Sequence, residues 1–73
     1  MNSTDIKETC KQIIDEATAI IAYTDSIDCI KNKTLKSVYA EDRKDELSHL
    51  QKLIVALTEI LSGEEPKIAE EME

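Results

Sequence analysis

The chain has 73 residues, two Tyr and no Trp or Phe, and its sixteen Asp and Glu against nine Lys and Arg give a formal net charge of −7. That length allows one small domain, which as a monomer would bury only about 60% of its unfolded surface. The acidic balance argues against phosphate backbones and anionic membrane surfaces as partners, and no apolar run approaches the ~20 residues of a membrane span.

The opening Met-Asn-Ser-Thr-Asp lacks the basic and apolar regions of a signal peptide, so a cytoplasmic protein is expected. A first helix is predicted from about residue 5 to 31, with Asp5 and Glu8 favourable in its first turn. Ile6, Cys10, Ile13, Ala17, Ile20, Thr24 and Ile27 recur in steps of four and three, a heptad-like seam suited to shallow-angle packing. Ile14 and Ile21 widen the seam on one side, Tyr23 and Ile30 on the other. Such width implies contact with more than one helix. Cys10 and Cys29 are 19 residues apart on this helix, roughly 28 Å and far beyond disulfide reach within one chain. Free, buried, hydrophobe-like thiols in a reducing compartment are the expectation.

Lys31-Asn32-Lys33 marks the break. Asn32 suits a left-handed helix cap, Thr34 can cap the next helix, and so short a connection forces an antiparallel hairpin. The second helix, about 34–62, carries Leu47, Leu50, Leu53, Ile54, Leu57, Ile60 and Leu61 on one stripe and stops at Gly63. Residues 1–63 thus form a helical hairpin, and 64–73 an acidic tail, either a short helix or disordered. Two helices of this composition cannot enclose a core, so the expected fold is all-α: a hairpin that dimerises into a four-helix bundle.

Three residues interrupt the apolar pattern. Glu46 falls inside the second stripe, His49 lies on its shoulder, and Glu16 lies within the edge of the first. A bare buried carboxylate costs several kcal/mol, so it must be protonated, paired or bound to metal. Glu16 precedes Asn32 by 16 residues and Glu46 follows it by 14, which sets both some 21–24 Å from the turn. Tyr23 and Tyr39 also come level, nearer the turn.

One hairpin offers two carboxylates and one imidazole, too few for a two-metal site, whereas a two-fold dimer offers four Glu and two His. Two divalent cations would then balance four carboxylates, which is why the acids can stay ionised inside an apolar bundle. Glu46 and His49, three apart, project from one helix surface, and Glu16 comes from the facing helix. The donor set accepts several divalent ions, Mn or Zn among them, and does not select one.

With Glu16 followed by Tyr23 in Ala-Tyr-Thr-Asp-Ser-Ile-Asp, and with Arg43-Lys-Asp-Glu46-Leu-Ser-His49, residues 10–61 resemble ferritin-like di-iron carboxylate proteins. The likeness is to the two-helix type represented by encapsulated ferritins. It implies that Glu16, Glu46 and His49 are the metal ligands and that two irons per dimer oxidise Fe(II) with dioxygen or peroxide, a ferroxidase-like activity. It further implies a centre completed across a subunit interface and larger assemblies of dimers. Encapsulated ferritins carry extra acids beside the first ligand for metal uptake and a terminal peptide that targets the encapsulin shell. Here Asp15 and Thr18 stand beside Glu16, and the tail has no apolar, Gly-containing segment, so encapsulation is not expected.

Neighbouring residues have plainer roles beside the functional ones. Tyr23 fills the core or contacts the site. Asp42 and Asp45 orient His49 or are solvated surface acids. Arg43 neutralises the site's rim or pairs with a helix neighbour. An entirely structural alternative pairs Glu16 and Glu46 with Arg43, Lys44 or Lys52 and leaves His49 ordinary. The chain is then a non-enzymatic hairpin module whose oligomer or partner complex buries the apolar stripes.

Overall fold

A computed structural model describes residues 3–63, so the expectations for the tail at 64–73 lie outside the described residues. Helix α1 spans Ser3–Cys29 and helix α2 Lys33–Leu61. They pack against each other along their length as a hairpin, a slab of 47 × 24 × 13 Å. The shortest dimension is about one helix diameter. A single layer of helices has nothing to lay over its apolar stripe, and among the described residues no side chain is fully buried. Neither helix is long and apolar enough to cross a membrane.

The turn differs in detail from the sequence expectation. Asn32 is extended, with φ −71° and ψ 122°, and it is the N-cap of α2 rather than a left-handed cap of α1. Its side-chain oxygen accepts from the Leu35 N–H at 3.0 Å, and its carbonyl accepts from the Lys36 N–H at 3.0 Å. Thr34 therefore lies inside the helix and does not cap it. The physical reason is local. The first amides of α2 have no carbonyl partner within the helix, and the Asn32 side chain lies at the position from which an Asx oxygen reaches them. Asn32→Ala is expected to cost about 1 kcal/mol of stability, seen as a lower midpoint in a urea melt followed by circular dichroism. At the far end Gly63 adopts φ 77° and its N–H reaches the Ile60 carbonyl at 3.1 Å. This is the left-handed stop that glycine takes without steric penalty.

Helix α1 also ends two residues before the expected boundary, although the Ile30 N–H still reaches the Ser26 carbonyl at 2.9 Å. Both thiols are free, and Cys29 is exposed rather than buried. It occupies the last helical position of α1, where the chain turns away from the seam.

The seam residues are half-buried, and they split the hairpin surface into two unlike flanks. On a wheel of about 100° per residue, Ile14 and Ile21 of α1 lie on the same flank as Leu47, Ile54 and Leu61 of α2. All five are exposed, Ile14 and Ile21 to 63% each. The opposite flank carries Glu16 and Tyr23 from α1 and Asp42 and His49 from α2. Away from the turn the hairpin thus has one apolar side and one with polar chemistry; exposed Leu35 and Val38 lie on the latter side, near the turn.

Candidate metal centre

Helical spacing places the three candidate ligands, and the hairpin brings them together. Glu46 sits in the seam four residues before Leu50, Glu16 sits one position beside the seam residue Ala17, and His49 follows Glu46 by three. Glu16, Glu46 and His49 each offer a ligand atom within 4.8 Å of the other two. A divalent first-row ion about 2.1 Å from each atom needs them roughly 3–4 Å apart, a contraction that side-chain rotation alone can supply.

Glu16 is the unusual member. Its side chain is 18% exposed, and its Oε2 is buried without a hydrogen-bond partner. The nearest basic atom is His49 Nδ1 at 3.9 Å. That distance permits Coulombic attraction to a protonated ring but is too long for a hydrogen bond. A carboxylate oxygen withdrawn from water with nothing to accept from is costly. A cation between Glu16, Glu46 and His49 would meet that oxygen directly. The donor set of two carboxylates and an imidazole suits Fe, Mn or Zn and does not choose among them.

The structural alternative would give these acids basic partners, and the structure does not. Neither Glu16 nor Glu46 is ion-paired with Arg43, Lys44 or Lys52. Arg43 instead donates from Nη1 to Thr24 Oγ1 at 3.1 Å, across the hairpin. Sequence reasoning placed Arg43 at the rim or beside a helix neighbour and missed this contact. Its signal was present, since Arg43 and Thr24 both occupy seam positions.

Asp42 is half-buried and Asp45 exposed, and neither hydrogen-bonds His49. The proposed orienting acids are therefore not engaged within one hairpin. Tyr23 and Tyr39 are half-buried, with ring centroids 5.9 Å apart and planes tilted by 42°, an ordinary packing geometry for two rings at the same height. His49 itself is 55% exposed. The cluster lies at the hairpin surface and opens onto the polar flank.

Comparison with protein-family models, with curated proteins and with solved structures finds no match.

Proposed function

We propose that this chain is a di-iron carboxylate protein of ferritin-like type. Two copies would face each other across the flank bearing His49 and share a site made of Glu16, Glu46 and His49 from each. The observation that carries this reading is the partnerless, buried Glu16 oxygen beside a second carboxylate and an imidazole. Four carboxylates around two divalent ions leave the buried site neutral, and the dimer would lay a second helical layer over the flank of His49. When bound, iron would supply electrons to dioxygen or peroxide as Fe(II) becomes Fe(III), a ferroxidase-like reaction. The chain's own part is to hold the ligands level, exclude water from the seam side and leave His49 on the open side. Mn or Zn would fit the same donors.

Freshly purified protein tests this directly. Metal analysis combined with sedimentation is expected to give two divalent ions per dimer, and none with His49→Ala. Failure of both purified and reconstituted protein to bind two ions per dimer ends the proposal.

A second reading has its own supporting observation. Ile14, Ile21, Leu47, Ile54 and Leu61 form an exposed apolar flank opposite the polar one, and contiguous apolar surface of this kind marks interaction sites. On that reading the hairpin is a non-enzymatic oligomerisation module, and its buried acids are a liability rather than a function.

A further inference from the structure

If Glu16, Glu46 and His49 hold metal, binding depends on the vertical alignment of α1 and α2. The three-residue connection sets that alignment at the turn, but away from the turn an aliphatic seam resists slippage only weakly. Burial scales with area, so Ile and Leu from the two helices still cover one another after a slip of one turn, about 5.4 Å. A slip of that size would carry Glu16 out of reach of Glu46 and His49. A polar side chain inside a seam removes the degeneracy, because only one register gives it a partner.

We propose that the Arg43–Thr24 hydrogen bond locks the register of the hairpin, making both side chains positioning residues for the metal site. The proposal rests on the metal reading for its consequence and on the hydrogen bonds for its mechanism. Thr24 donates its hydroxyl hydrogen to the Ile20 carbonyl at 2.8 Å. Its one donor is thereby committed, and its oxygen remains free to accept. Arg43 Nη1 takes up that acceptor at 3.1 Å, and the contact is half-buried.

The offset between the two residues suits the observed register. Glu16 with Glu46 and Tyr23 with Tyr39 are the level pairs, so Thr24 comes level with Val38 and Arg43 lies five residues further from the turn. At 1.5 Å per residue that offset is about 7.5 Å. An extended Arg spans it, since helical side chains lean toward their own N-terminus, which in α2 is the turn end. A lysine in place of Arg43 offers a shorter, more strongly hydrated head and no planar fork. Moving α2 by one turn in either direction takes the guanidinium away from the Thr24 oxygen.

The test compares Thr24→Val, which removes the acceptor while keeping the shape, with Thr24→Ser, which keeps the hydroxyl. Two readouts are taken. The first is Co(II) affinity and visible absorption, which report the coordination geometry. The second is the nuclear Overhauser contact between the Tyr23 and Tyr39 rings in metal-free protein. These two tyrosines are the only phenolic rings in the chain, and their proximity depends on register and not on metal.

Thr24→Val is expected to weaken Co(II) binding by about tenfold or more, alter its absorption and lose the ring contact. Thr24→Ser should restore all three. Circular dichroism follows helix content, and should Thr24→Val unfold, Arg43→Met cuts the same bond from the other helix. A wild-type ring contact in the valine variant, or equal losses in the valine and serine variants, overturns the lock. Absence of Co(II) binding in the wild type defeats the metal reading instead, and the ring contact then still decides the lock.

Discussion

Titrating Glu46→Ala with Fe(II) in air should produce no ferric absorption in the near-ultraviolet, whereas the wild type should produce one that saturates at two irons per dimer. The effect is expected to be large because Glu46 would be a direct charged ligand, half-buried within the hairpin. It projects from the seam of α2, and it shares one helix face with His49. Losing it from both copies reduces four carboxylates to two. Two divalent ions would then carry uncompensated positive charge where the surrounding medium screens poorly. Loss of an outer partner alone costs about 10–100-fold in metal affinity, and loss of a direct charged ligand should exceed that. Should Glu46→Ala oxidise Fe(II) at the wild-type rate and stoichiometry, the site has been placed wrongly.

Glu16→Gln should reverse the sign of its effect on stability with metal content. In metal-free protein the wild type holds a carboxylate oxygen that is buried and without a hydrogen-bond partner. Replacing the charge by a neutral amide of the same shape relieves the ionic part of the desolvation cost and is expected to stabilise, with a rise in Tm of roughly 4–8 °C for each kcal/mol gained in a domain of this size. With metal present the order inverts. A ligand that binds only the folded form stabilises by about 2.7 kcal/mol at a concentration a hundredfold above its Kd, and the Gln variant forfeits most of that gain. Thermal melts with chelator and with added Fe(II), Mn(II) or Zn(II), at one protein concentration, make the comparison. The interaction-module reading predicts a more stable Gln variant under both conditions, so the melts in added metal separate the two classes of function.

The two readings also place the partner on different sides of the hairpin. The metal centre needs a second chain on the flank of His49, where Glu16 and Tyr23 also lie. The exposed Ile14, Ile21, Leu47, Ile54 and Leu61 belong to the other flank. A dimer closed over the metal flank therefore leaves the apolar one uncovered, and a dimer closed over the apolar flank leaves His49 in solvent. Chelation should dissociate the first kind of dimer and leave the second intact.

Much of this arrangement follows from the order of the residues alone. The four-and-three spacing from Ile6 to Ile27 and the stripe from Leu47 to Leu61 dictate two helices. The three-residue connection dictates that they fold back on each other. Counting outward from Asn32 at a fixed rise per residue brings Glu16 level with Glu46, and Tyr23 level with Tyr39, whose rings lie 5.9 Å apart. These outcomes are legible because helical rise and periodicity hardly vary with context.

Choices among competing partners were not legible. Asn32 had a place in either helix end, and its extended backbone with the side chain accepting from the Leu35 N–H makes it the N-cap of α2. Arg43 had several carboxylates within its sequence neighbourhood, yet it crosses to Thr24. Whether Glu16 faced water or the seam turned on a wheel position at the stripe's edge, where some tens of degrees decide between a solvated acid and a stranded one. Periodicity determines which elements form and how high each residue stands. The side chains that then compete for a hydrogen bond or a buried place are resolved only by the mutual rotation of the packed helices, which no local pattern encodes.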